Sequence, residues 1–311
     1  MKILVTGGAG FIGSFLCERL LEDGYDVICL DNFFTGKKSN IKHLLKNQKF
    51  KFIEHDVTKQ IELKIDSIFH LASPASPVDY QRLPIETSMA NSLGTFNMLQ
   101  LAKKNNARFL LASTSEVYGD PSEHPQKETY WGNVNPIGPR SCYDESKRFA
   151  ETLTMSFHTR YGLDVRIARI FNTFGSRMRK DDGRAIPNFI TQALSGQPIT
   201  VYGDGKQTRS FCFISDMIDG LMELMFTDSL SGQVVNLGNT EERSILSVAR
   251  LIKDLTKTKS EIVFKPLPED DPTRRRPDIT KAKELLNWKP KIDFVEGLKE
   301  TVEWFKGELK E

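Results

Sequence analysis

The sequence predicts an α/β fold: a doubly wound parallel sheet followed by a smaller C-terminal α/β unit that binds substrate. Three observations lead there. Short β-branched runs alternate with longer segments of helical periodicity, a glycine-rich turn directly follows the first run, and the pattern loosens after about residue 175.

The runs "KILVT", "DVICLD", "KFIEHDV", "SIFHLA", "RFLLAST" and "DVRIARI" read as strands. Between them, "FLCERLLEDG" and "TSMANSLGTFNMLQLAKKNN" repeat apolar residues at helical spacing, and Gly24 stands where a helix C-terminal glycine belongs. Strand and helix in alternation imply a parallel sheet covered on both faces. Further on, "GSRMRKDDGRAIPNF" and "ITVYGDGKQTRSF" are richer in Gly, Asp and Arg, as loops over a ligand are. "FISDMIDGLMELMF" predicts a helix, capped near Ser215 or Asp216, that returns to the sheet. "SILSVARLIKDLT" and "DITKAKELLNW" predict helices of the smaller unit. The expected division is 1–175, joined again by 211–230, and 176–311. No linker-like stretch separates the two, so a ligand cleft between them is expected.

With 311 residues, 43 Lys and Arg against 41 Asp and Glu, and a net charge of +2, the chain has no global reason to bind nucleic acid or membrane, and any anion site must be local. The apolar stretch after Met1 is too short for a secretion signal, and no run approaches the roughly 20 apolar residues of a membrane span. The four cysteines, Cys17, Cys29, Cys142 and Cys212, form no CxxC pair, and the five histidines form no HExxH. These features predict a reduced, cytoplasmic protein without a metal site.

"TGGAGFIG" supplies Gly7, Gly8, Gly10 and Gly13 between a strand and a helix. Glycines there permit a tight turn and let a diphosphate approach backbone N–H groups at the helix N-terminus. Asp31 ends the second strand at about the 20-residue distance of a ribose-binding acid. A carboxylate hydrogen-bonds a ribose diol and repels a 2′-phosphate, and "NFFTG" supplies no Arg to offset it, so NAD is favoured over NADP. A Rossmann-type dinucleotide site follows. Tyr143 and Lys147, four apart in "SCYDESKRFAE", share one helix face. A Lys beside a Tyr favours the phenolate, although alone the pair could be a chance of helix spacing. The hydroxyls and carboxylate of "STSEVYG" at the end of a buried strand, about 30 residues upstream, add weight to chemistry.

The TGxxGxxG turn, "HLA", "VYG", Tyr143 with Lys147, "RIFNTFG", "VYGDGKQTRSF" and "RRRPD" together resemble the extended short-chain dehydrogenase/reductases, the NAD-dependent epimerase/dehydratase family acting on nucleotide sugars. The resemblance implies that Thr114 and Tyr143 share the sugar 4-hydroxyl, that Lys147 holds the nicotinamide ribose, and that NAD takes hydride from C4 and is regenerated. It implies dinucleotide contacts at Gly7, Gly10, Phe11, Ile12, Gly13, Asp31, Asn32, Phe33, Thr35, Gly36, Asp56, Val57, Leu71, Ala72 and Ser73, besides Tyr143 and Lys147. Substrate contacts are implied at Asn172, Asn188, Val201, Tyr202, Gln207 and Arg209. A homodimer built on the helices around 84–105 and Tyr143 is also implied.

Within that family, dehydratases resemble "TDE", whose Asp protonates a departing C6 hydroxyl. This chain has Thr114, Ser115 and Glu116. A 4-keto sugar with a C6 carboxylate needs no such acid, because the ketone accepts the electrons as carbon dioxide leaves. The implied reaction converts UDP-glucuronate to UDP-xylose, with Glu116 assisting protonation or positioning a water and Ser115 hydrogen-bonding the carboxylate or the developing charge. Arg275 of "DPTRRRPD" is expected to hold the substrate carboxylate, against the alternative of a solvated basic turn. A UDP-sugar 4-epimerase and a 4,6-dehydratase are the alternatives. A non-catalytic dinucleotide-binding regulator is disfavoured by the presence of both Tyr143 and Lys147.

Overall fold

Seven parallel strands form the central sheet of the computed structural model, which describes residues 1–309. Across the sheet they run Gln233–Leu237, Val165–Ile170, Arg108–Thr114, Ser67–His70, Lys2–Thr6, Asp26–Asp31 and Phe50–Glu54. From Lys2–Thr6 the chain winds outward through two strands. It then crosses to the other side at Ser67–His70. That reversal opens a crevice at the carboxyl ends of the first and fourth strands, where open α/β sheets bind ligands.

Alternation along the strands divides the core. Leu110 faces a cluster with Val5, Leu16, Leu20 and Phe69, while Phe109 and Leu111 face a second with Ile68, Met98, Leu101 and Phe157. The first cluster continues without a break through Phe174, Ile190, Phe213, Val248 and Phe305. The C-terminal unit therefore shares its core with the sheet. It contributes a three-stranded sheet of Glu242–Ser244, Thr208–Ser210 and Arg274–Arg275, and a pair of Ile199–Tyr202 with Ile262–Lys265. Helices Ala185–Leu194, Ile245–Thr256 and Phe294–Glu308 cover them.

Three details depart from the sequence reading. Helix Ile214–Phe226 starts without a side-chain cap, because Asp216 is spent elsewhere: its carboxylate accepts the Ile292 N–H (2.9 Å) and its carbonyl the Trp288 indole N–H (3.0 Å). The return to the sheet extends past 230 and ends in strand Gln233–Leu237. The expected helix over 84–105 is three pieces, Pro84–Met89, a π turn Ala90–Gly94 and Thr95–Asn105. The turn brings Gly94 so close to Val57 that a Cβ would lie 2.7 Å from its methyl, and places the Asn91 amide on the Ser146 hydroxyl at 2.9 Å. The first helix, Phe11–Glu22, ends as expected before Gly24 at φ +86°.

Leu111 is fully enclosed in the middle strand. Leu111→Ala is expected to cost about 2–5 kcal/mol in urea denaturation, the range for a cavity that neighbours cannot refill.

Candidate active site

The carboxyl ends of the strands open into a cavity of about 710 Å³ that extends into the substrate unit. At one end lies the glycine turn. Gly7 adopts φ +70°, and a Cβ on it would stand 2.8 Å from the Ala72 nitrogen; a Cβ on Gly13 would fall onto the Gly7 carbonyl. Neither position admits a side chain. Helix Phe11–Glu22 begins there with no side-chain cap and no acid in its first turn, leaving its N–H groups free for an anion. The Asp31 carboxylate accepts the N–H groups of Ala9 (3.0 Å) and Phe33 (2.8 Å) and borders the same space. This cradle fits a dinucleotide diphosphate and ribose.

At the centre, strand Arg108–Thr114 ends in the turn Ser115–Tyr118. The Thr114 hydroxyl accepts the Glu116 N–H at 3.2 Å and faces the Tyr143 phenol, whose pKa it lowers. Tyr143 and Lys147 project side by side from helix Ser141–Tyr161, both buried, and Lys147 Nζ donates to the Ala112 carbonyl at 2.9 Å. Burial, with Glu116 and Asp144 nearby, pushes the Tyr143 phenol well above its ordinary range. Burial brings Lys147 down to about 8. The Tyr80 ring stacks on Tyr143 at 5.1 Å and 9°.

Glu116 is the electrostatic focus. Burial raises its pKa, yet Arg275, Arg140 and Arg209 outweigh that and hold the carboxylate at about 2. Arg140, one helical turn before Tyr143, pairs with Glu116 and lies 3.8 Å from Asp144 and 3.7 Å from Asp271. Asp144 has the opposite fate. Burial and the neighbouring Glu116 push its carboxyl up to about 8, and its Oδ1 has no partner.

Every residue expected to face the dinucleotide lines the cavity except Phe33, as do Thr114, Ser115, Glu116, Asn172, Asn188, Tyr202, Gln207 and Arg209. Three expected positions lie outside its wall. Phe33 turns away at φ +56° and stacks on Phe52 at 4.9 Å. Val201 is fully buried, because alternation along Ile199–Tyr202 gives the cavity Thr200 and Tyr202 instead. Arg275, 1% exposed, sits behind the wall: it donates to the carbonyls of Ser115 and Gly119 (2.8 Å to Gly119) and reaches Glu116 at 3.3 Å. The cavity-facing guanidinium groups that act on Glu116 are Arg140 and Arg209. Arg140 had a readable signal, its place one turn before Tyr143. Tyr80 had none, lying on a segment remote in sequence.

Among the described residues, no group of three or more His, Cys, Asp or Glu could hold a metal ion, and no helix is long and apolar enough to cross a membrane.

A family model described as GDP-mannose 4,6 dehydratase matches residues 4–301. UDP-glucuronic acid decarboxylase 1 of Danio rerio is 55% identical over 99% of this chain and 73% of its own length. The Arabidopsis thaliana protein of the same name is 56% identical over 99% and 71%. Among solved structures, the UDP-glucuronic acid 4-epimerase of Bacillus cereus in complex with UDP-glucuronic acid and NAD superposes with TM-score 0.90 at 32% identity, covering 99% of this chain and 100% of that one. The dTDP-glucose 4,6-dehydratase of Bacillus anthracis with NAD gives 0.86 at 26%, covering 100% and 98%.

The native state keeps a proton on Asp144 between its ordinary pKa of 3.8 and about 8, which the unfolded chain has already released. This group's contribution to stability is thus present at low pH and falls as pH rises across that window. Asp144→Asn, which mimics the protonated form, is expected to flatten that slope in urea midpoints measured across the window.

Proposed function

The chain belongs to the GDP-mannose 4,6 dehydratase family of NAD-dependent nucleotide-sugar enzymes, and from that premise we propose that it converts UDP-glucuronate to UDP-xylose and carbon dioxide. NAD, when bound, accepts the sugar C4 hydrogen with its electron pair and returns it at the end, so no net reduction accumulates.

Tyr143 and Thr114 receive the 4-hydroxyl, and Tyr143 takes its proton as the phenolate, the form that the Lys147 cation and a bound nicotinamide cation would favour against the burial that raises its pKa. The resulting ketone lies β to the C6 carboxylate. The C5–C6 bond breaks, its electron pair moves to the C4 oxygen as an enolate, and carbon dioxide leaves. Tyr143, now protonated, and Thr114 donate to that oxygen. C5 then takes a solvent proton, and C4 is reduced as Tyr143 returns its proton to the C4 oxygen, restoring the hydroxyl and the base.

What carries this reading over dehydration is that no protonated carboxyl group lines the cavity beside Thr114 and Tyr143. Ser115 stands where a dehydratase places an acid, Glu116 is held as a carboxylate at about 2, and the protonated Asp144 does not line the cavity. Expelling a C6 hydroxyl needs such a donor; losing carbon dioxide does not. Glu116 therefore orients Arg140 and a water, which supplies the C5 proton. Arg140 meets the C6 carboxylate from the cavity side, while Arg275 fixes the 115–119 turn from behind.

We read the protein as a homodimer. Ile85, Met89, Leu93 and Phe96 expose apolar side chains along one side of 84–105, beside exposed Phe149 on the tyrosine helix. The four unpaired cysteines suit a reducing compartment, the cytoplasm.

Incubation with UDP-glucuronate and NAD should release carbon dioxide and give UDP-xylose by proton NMR without accumulating NADH; UDP-galacturonate without carbon dioxide would instead identify an epimerase. Tyr143→Phe is expected to lower kcat roughly 10²–10⁴-fold. Sedimentation should give a dimer, and Phe149→Glu a monomer.

A further inference from the structure

Residues 176–184 of the substrate unit pass over the dinucleotide half of the cavity. Arg177 donates to Glu18 on the first helix at 2.6 Å and lies over the Phe15 ring, 4.0 Å from its centroid. Two residues on, Arg179 ties three segments with one guanidinium. It donates Nη2 to Asp79 at 2.9 Å, Nη1 to the Thr35 carbonyl at 3.4 Å, and Nε to Asp181 at 3.1 Å. Asp79 is buried at the start of helix Pro77–Arg82 and further fixed by the Ser76 hydroxyl, which donates to it at 2.7 Å. Gly183 then packs so tightly on Val78 that no Cβ fits between them.

Thr35 follows Asp31 at the ribose end of the crevice, and helix Pro77–Arg82 carries Tyr80, which stacks on Tyr143. Thr35, Asp79 and Arg179 all line the cavity. A dinucleotide seated on the glycine turn lies beneath a strap fastened at both sides of the crevice. We infer that Arg179 is a latch that retains NAD through successive turnovers. This rests on the NAD reading above. Arg179 acts by position, since it holds the walls together and touches no reacting atom. A cycle that restores its cofactor has no need to exchange it, and a closed strap prevents loss of the reduced form before C4 is reduced.

The test uses the full chain, loaded with NAD and freed of excess by gel filtration; bound NAD is then measured over time by chromatography after acid precipitation. Arg179→Gln and Asp79→Asn are each expected to speed NAD release at least roughly tenfold, as loss of one partner from an enclosed ion pair acts on the off-rate. The double variant should be no faster than the faster single variant. Arg82→Gln removes an exposed cation 3.5 Å from the same carboxylate and should release NAD at the wild-type rate. Wild-type rates in Arg179→Gln and Asp79→Asn overturn the latch alone. An Arg82→Gln rate matching Arg179→Gln also overturns it, since the effect would then lie in the charge of Asp79. A wild-type protein that never binds NAD overturns the cofactor reading and the latch with it.

Discussion

A carboxylate withdrawn from water between two guanidinium groups sets the register of this molecule. Glu116 comes from the end of the middle strand, Arg140 leads the tyrosine helix, and Arg275 arrives from the small sheet of the substrate unit. Burying an ion costs several kcal/mol, and a buried pair loses heavily when one partner is removed. The three elements are therefore obliged to meet. That meeting fixes the 115–119 turn, aligns Thr114 with Tyr143 and seats the substrate unit on the sheet. Its value lies in placement more than in net stability.

The same burial treats neighbouring groups in opposite ways. Glu116 has three cations against it and stays charged, whereas Asp144 shares Arg140 at 3.8 Å, leaves one oxygen unpartnered and is pushed toward neutrality. His70, enclosed between the hydroxyls of Thr6 (2.8 Å) and Thr95 (3.1 Å), is lowered to about 3 by burial and by Lys147. Charge at the site is thus concentrated on the groups that face the cavity. Those behind it are held neutral or paired.

The parallel sheet and the dinucleotide turn were legible because their signals are local. Strand alternation, Gly7, Gly13 and the four-residue spacing of Tyr143 and Lys147 each follow from backbone geometry within a short window. Features that local signals could not place depend on distance. Arg275 lies in a basic run whose alternation turns it inward, and its partners are about 160 residues away. Val201 sits in a strand whose inward and outward faces cannot be assigned without knowing what packs on each. Asp216 looked like a helix cap and was claimed by Ile292 and Trp288 from the far end of the chain.

The unbroken core has a consequence for how such a molecule can diversify. With Phe174, Phe213 and Val302 packed in the same cluster as Val5 and Leu110, the substrate unit cannot be exchanged as a cassette without emptying the cluster beneath the sheet. New chemistry is confined to the rim, where one side chain can change while the frame stays intact. Position 115, on the cavity wall, is such a place: a serine or an acid there changes whether a carboxyl group faces the site, and the scaffold beneath need not register the difference.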